Sequence, residues 1–300
     1  MRERADPAVR PPFLCAKPGG GPRTRRQTIV PMNEWELEAE IASYYERGGE
    51  RERLSRNARG RLEFARMQDL LRRVLPGDGL DVLDVGGATG VHASWLAADG
   101  HKVTLVDPVP SQVEVAAQIP GVDAVVGDAR DLPCGDAAFD AVLLMGPLYH
   151  LTEREQRVRA VAEARRCARP GGIVAAVTIN RAAAWNDWLL FMAHGIDRHI
   201  TAEDSLQVLR DGQLRFHDQE MFTTAHLSHP SETASEFADA GLAAQQYAVQ
   251  GFPGYLPELE ALIDDEDARA HLMEGLRVIE REPSLIGASN HLLTVAAVPE

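Results

Sequence analysis

The residues best suited to chemistry sit where short apolar runs end. Val82-Leu83-Asp84-Val85-Gly86-Gly87-Ala88-Thr89-Gly90 reads as a strand, a glycine-rich turn and the start of a helix. Glycine has no Cβ and tolerates positive φ, so such a turn lets backbone approach a ligand closely. The helix that follows points unpaired N–H groups at the same place. Asp107 ends the next apolar run, 17 residues after Gly90. A carboxylate there can accept hydrogen bonds from two ribose hydroxyls. Gly127-Asp128-Ala129 closes a third run, and Gly146-Pro147-Leu148-Tyr149-His150-Leu151 follows a fourth. Histidine titrates closest to neutral pH, so His150, positioned by Tyr149, is the candidate general base.

Counting the glycines separates two cofactor classes. A dinucleotide turn needs G-x-G-x-x-G, and Ala88 and Val91 occupy two of its three glycine positions. What stands is D-x-G-x-x-x-G, in Asp84, Gly86 and Gly90. This resembles the first motif of the class I S-adenosylmethionine-dependent methyltransferases, with Ala88 at a middle position that is usually glycine. Asp107, Asp128-Ala129 and Arg169-Pro170-Gly171-Gly172 continue the resemblance in order and spacing over residues 81–178.

The resemblance implies an α/β, Rossmann-like fold with a seven-stranded, mostly parallel sheet flanked by helices. It implies S-adenosylmethionine as cofactor and S-adenosylhomocysteine as product. Asp84, Gly86, Gly87, Gly90, Asp107, Pro108, Asp128, Ala129 and Met145 would line the cofactor site. Asp128 would meet the adenine amino group and the Ala129 N–H a ring nitrogen. Arg66 is the candidate for the methionyl carboxylate, by charge-assisted bonding. The Gly146–Leu151 element is similar to that of a bacterial small-molecule methyltransferase group, many of them actinobacterial. Tyr44-Tyr45, Leu62-Glu63-Phe64-Ala65-Arg66 and Phe222-Thr223-Thr224-Ala225 share that likeness. His226 stands where the group often has tyrosine, and Tyr45, His226 and His229 are candidate acceptor-binding residues.

The elements that must position these residues alternate. Strands are expected over 81–85, 102–106, 124–126, 139–145 and 173–178, with helices over 89–98, 111–118 and 153–168 between them. Strands alternating with helices imply right-handed crossovers and a parallel sheet. Two helices precede the first strand, over 33–47 and 60–74. After residue 180 the alternation lapses, and residues 181–229 read as an inserted helical cap. Trp185, Trp188 and Phe191 there suit either core or the wall of an apolar pocket. Ser231 and Gly241 would cap a helix over 231–241; a strand over 243–249, acidic helices over 257–281 and a last strand over 291–298 follow. Residues 1–31, rich in Pro, Gly and Arg without hydrophobic period, read as a disordered basic tail. Residues 32–300 then form the methyltransferase domain, with lid helices over 33–60.

Charge bounds the partners. The chain carries −14, and residues 1–30 carry +5 of it, which leaves −19 on the rest. That balance disfavours a grip on nucleic-acid phosphates. No apolar run reaches the ~18 residues a membrane helix needs. The three cysteines, Cys15, Cys134 and Cys167, form no C-x-x-C and suggest a reducing, cytoplasmic compartment without structural metal. Arg130 is expected to pair with a nearby acid such as Asp131. The leading expectation is methyl transfer to a small-molecule acceptor, on O or N, in secondary metabolism, by a protein that can form a homodimer. A peptide or protein methyltransferase, or a protein that binds the cofactor without transfer, are the alternatives.

Overall fold

The computed structural model describes residues 39–46, 53–194, 201–214 and 223–300. The basic tail, the start of the first lid helix and Phe222 lie outside them.

Seven strands form one sheet: β1 (Asp81–Val85), β2 (Lys102–Asp107), β3 (Val122–Val126), β4 (Phe139–Leu144), β5 (Ala168–Ile179), β8 (Ala244–Ala248) and β9 (His291–Ala297). Their spatial order is β3-β2-β1-β4-β5-β9-β8. The first five pair in parallel, and β9 runs antiparallel to both of its neighbours. Two short strands, β6 (Gln213–Leu214) and β7 (Ala225–His226), pair separately.

Side chains alternate across the sheet and feed two cores. Leu83, Val85, Val142 and Leu144 pack on one face, with helix α6 (Arg154–Cys167) and helix α9 (Pro230–Asp239). Val82, Ala141 and Leu143 pack on the other, with helix α2 (Ala58–Val74) and helix α3 (Val91–Ala98). Burial on both faces explains why β1 and β4 read as near-continuous apolar runs. Each fully buried leucine of this kind contributes roughly 2 kcal/mol. Asp84 is the polar exception in β1 and is completely buried.

The expected element boundaries shift at several ends. Helix α2 begins at Ala58, two residues before the expected start, with Asn57 as its cap, accepting from the Gly60 N–H at 2.9 Å. Arg169–Gly172 is not a free turn before β5 but an irregular stretch within it: Phe139 pairs with Ala168 while Ala141 pairs with Ile173. Arg169 there binds Asp81 at 3.0 Å and Asp140 at 2.7 Å, tying together the starts of three strands. His229, not Ser231, caps α9, its Nδ1 accepting from the Ser231 N–H.

The remaining helices are α1 (Ala39–Glu46), α4 (Pro110–Ala116), α5 (Pro147–His150), α7 (Ala182–Ala193), α8 (Ala202–Asp211), α10 (Leu259–Asp264) and α11 (Glu266–Ile279). In the cap, α7 packs on α8, and β7 packs behind α5. Cys134 and Cys167 form a disulfide that fastens the loop between β3 and β4 to the end of α6. Nothing in their spacing of 33 residues pointed to this pair, and it overturns the expectation of free thiols at both positions. No helix among the described residues is long and apolar enough to cross a membrane.

Candidate active site

A single cavity opens over the carboxyl ends of β1, β2, β3 and β4, where ligands bind in open α/β sheets. Gly86, Gly87, Ala88, Asp107, Pro108, Asp128, Ala129, Met145, Tyr149 and His150 all line it, and α1 adds Ile41 and Tyr45.

The glycine turn is shaped by contact. Gly86 has φ +70°, and a Cβ there would lie 2.7 Å from the Pro147 ring. The turn therefore abuts the start of α5, the turn of helix that carries Tyr149 and His150. Ala88 takes φ +48°, a left-handed conformation that non-glycine residues adopt at a cost. Gly90 caps α3 but is buried and does not line the cavity.

Asp107 is nearly buried at the cavity wall. It accepts from the Ala88 N–H and the Val109 N–H, both at 2.9 Å. A carboxylate has about four acceptor sites, so two remain for ribose hydroxyls. Burial pushes its pKa up to about 6, against the pull of those two N–H groups. Asp128 is gripped by the Arg130 fork at 2.8 and 2.6 Å, so Arg130 does pair with a nearby acid, and the acid in the fork is Asp128. The grip fixes the Asp128 carboxylate while leaving lone pairs for an amino group. The free geometry of these donors and acceptors fits a ribose and an adenine.

Asp84 does not line the cavity. It lies behind Gly87, where an added Cβ would sit 2.7 Å from its Oδ2. Burial, reinforced by the Asp107 charge, pushes its pKa up to about 7. The unfolded chain loses this proton near pH 4 and the folded chain keeps it to about 7. Stability from this group is therefore full below about pH 4 and falls as pH rises toward 7. Asp84→Asn should flatten the decline of melting temperature over that window; a melting profile parallel to wild type would show that Asp84 is ionised throughout.

Arg66 is not at the cavity. It is fully buried, donating to the Val249 carbonyl and pairing with Asp69 and Glu280, both at 2.7 Å. The arginines that line the cavity among the described residues are Arg53 and Arg130. Glu63 holds Arg53 through two bonds of 2.9 and 2.8 Å. Burial works to raise Glu63, yet the Arg53 and His291 charges override it and hold its pKa at about 2. Arg53 was not legible in the sequence, because it is one of three arginines over residues 51–56 with no spacing to single it out. Of Arg53 and Arg66, Arg53 is the one at the cavity. Arg53→Met should weaken S-adenosylmethionine and S-adenosylhomocysteine about tenfold, the scale of a charge-assisted bond at a half-exposed site. Methylthioadenosine, which lacks the carboxylate, should bind unchanged; equal losses for all three ligands in calorimetry would overturn the assignment.

His226 and His229 also lie away from the cavity. His226 pairs with the β6–β7 ladder and is buried beside Glu232 at 3.5 Å; burial and the Arg157 charge push its pKa down to about 4. His229 is committed to its helix cap. Trp185 and Trp188 stack on each other at 5.0 Å and do not reach the cavity wall either. His92 and Gln156, which no motif marked, do line it. Burial pushes His92 down to about 4, with Glu63 opposing.

Also on the cavity lining, His150 Nε2 lies 2.6 Å from the Tyr45 hydroxyl, and the Tyr149 ring packs edge-on at 4.6 Å. Burial pushes the His150 pKa down to about 4, with the Thr224 backbone opposing. The imidazole is thus neutral at physiological pH and can accept a proton. Among the described residues no cluster of three His, Cys, Asp or Glu could hold a metal ion.

The strand order with one reversed strand, the glycine turn, and acids closing the next two strands define the class I methyltransferase fold. Residues 82–172 match the family described as "Methyltransferase domain". Its sequence is 38% identical over 111 residues to a ubiquinone biosynthesis O-methyltransferase of Methylocella silvestris, covering 35% of this chain and 42% of that protein. It is 31% identical over 173 residues to a ubiquinone/menaquinone biosynthesis C-methyltransferase of Acidiphilium cryptum, covering 53% and 66%. The chain thus spans less than two thirds of the length of these relatives. In fold it is similar to a putative methyltransferase of Haloferax volcanii solved with the Trm112 activator (TM-score 0.54, 19% identity, 88% and 98% coverage).

Proposed function

We propose that this protein transfers the methyl group of S-adenosylmethionine to a small organic acceptor, on oxygen or nitrogen. The observation that carries the reading is the shared cavity: Asp107, Asp128, Tyr149 and His150 all line the same space. The relatives named for ubiquinone and menaquinone biosynthesis support an acceptor of metabolite size. The likeness of Gly146–Leu151 to a bacterial small-molecule group supports a role in secondary metabolism.

Methyl transfer from a sulfonium is an in-line displacement. The bound cofactor supplies the reactive methyl group. The chain's own residues hold the partners and exclude water. Asp107 holds ribose hydroxyls, the Ala129 N–H and Asp128 hold adenine, and Arg53 holds the carboxylate. Tyr149 packs against His150 and sets its ring. His150 is the base for the proton that leaves an O–H or N–H acceptor.

The test is incubation of the full chain with methyl-labelled S-adenosylmethionine and bacterial metabolite pools. Label should enter a small molecule, and His150→Ala should slow that transfer while cofactor affinity stays within about twofold. Label entering only protein would overturn the small-molecule reading; an unchanged rate in His150→Ala would remove His150 as the base.

A further inference from the structure

The hydroxyl that occupies His150 is itself a phenol. Tyr45, from α1, places its oxygen 2.6 Å from His150 Nε2, with the two rings edge to face at 5.3 Å. Both residues line the cavity and both are half-buried. A second anchor fixes the lid residue: the buried Gln112 of α4 donates to the Tyr45 carbonyl at 2.7 Å. The Tyr45 ring also meets Tyr44 edge-on at 5.3 Å. His150 thus already sits in an aromatic surround, with a phenol oxygen 2.6 Å from its Nε2.

We propose that Tyr45 holds the seat of the acceptor's hydroxyl, and that the acceptor is an aromatic compound bearing a phenolic O–H. This deepens, and rests on, the reading of the cavity as a methyltransferase site. A phenol displaces another phenol at little cost, because the bond to His150 and the edge-on ring contacts are remade in kind. A protonated amine would be favoured by a carboxylate at the acceptor end. Among the described residues the carboxylates that line the cavity are Asp107 and Asp128, which end or follow the strands, and Asp128 is already gripped by Arg130.

The step balances. The phenol oxygen forms the O–CH3 bond as the S–CH3 bond breaks, and that electron pair stays on sulfur as a neutral thioether. The O–H proton passes to His150 Nε2 and then to water. An aryl ether still carrying this proton is a very strong acid, so a neutral imidazole is a sufficient sink. Positive charge leaves sulfur as it arrives on His150, so the cavity's total charge is unchanged during the step. This limits the cost of charging a half-buried imidazole.

The experiment uses p-cresol, the tyrosine side chain as a free molecule, and p-methylbenzylamine as the amine counterpart. Binding to the full chain is followed by calorimetry in the presence of S-adenosylhomocysteine. Tyr45→Ala should bind p-cresol at least tenfold more tightly than wild type does, and Tyr45→Ala with His150→Phe should lose that gain. Tyr45→Phe, which keeps the ring and removes only the hydroxyl, should not gain p-cresol binding; its melting temperature and cofactor affinity report whether α1 remains in place. Equal p-cresol affinity in wild type and Tyr45→Ala, or tighter binding of the amine than of p-cresol, would overturn the proposal. Failure of S-adenosylhomocysteine to bind wild type would instead count against the methyltransferase reading itself, so the two failures are separate.

Discussion

Asp107→Ala should weaken S-adenosylmethionine binding by one to two orders of magnitude. Its carboxylate ends β2 at the cavity wall and already accepts two backbone N–H groups at 2.9 Å, which fixes its position before any ligand arrives. Two further hydrogen bonds to a charged acceptor contribute about 1.5–3 kcal/mol each in protein settings. Each 1.4 kcal/mol is tenfold in affinity, so loss of even one full bond exceeds the expected lower bound. The substitution also leaves the Ala88 and Val109 N–H groups without their partner, and both belong to the turns that shape the cavity. A pH dependence follows from the same group. Burial raises its pKa to about 6, so affinity should be steady above about pH 7 and decline as pH falls through 6 and the acceptor gains a proton. Calorimetric affinity within twofold of wild type at pH 7.5, or a flat profile between pH 5 and 7.5, would sink the ribose assignment.

Gly86→Ala should have an effect of similar or larger size, by geometry rather than charge. Two independent costs fall on one methyl group. At φ +70° an alanine is strained by about 1–2 kcal/mol. Its Cβ would also lie 2.7 Å from Pro147 Cδ and 3.2 Å from Pro147 N, and neither is the loose end of a flexible side chain. Pro147 begins α5, so relief of this clash moves Tyr149 and His150 as well. The expected result is loss of melting temperature by several degrees together with loss of both cofactor binding and transfer. Gly135→Ala is the comparison, because a Cβ there meets nothing within 4 Å. If Gly86→Ala binds cofactor with wild-type affinity, the turn does not press on α5 as described.

The sequence alone determined most of the sheet and several residues that line the cavity at its strand ends. The reason is that these are local. A strand buried on both faces must be apolar throughout, a turn at positive φ favours glycine, and an acid at a strand end is fixed relative to that strand by a few residues of backbone. Asp81–Val85 was therefore legible to the residue, and Asp107, Asp128 and Ala129 line the cavity by the same logic. Even Ala88, out of place in a glycine motif, sits at positive φ where the motif demands it.

Only tertiary structure decided which long side chains reach the site. Arg66 and Arg53 lie on the same run of chain, but Glu280, 214 residues away, draws Arg66 into a buried ionic cluster, while Glu63 turns Arg53 to the cavity. Arg130 and Asp128 are two residues apart and still could not be paired in advance, because the fork closes only once the β3–β4 loop is folded. His226 and His229 were placed by element packing: one by a two-residue ladder, the other by a helix start. Tyr45 and His150 are separated by 105 positions, and their contact exists because α1 folds back over the end of the sheet. The methyl donor is thus written in spacing along single strands, while the acceptor end is set by distant segments meeting over it, a meeting that local residue pattern does not encode.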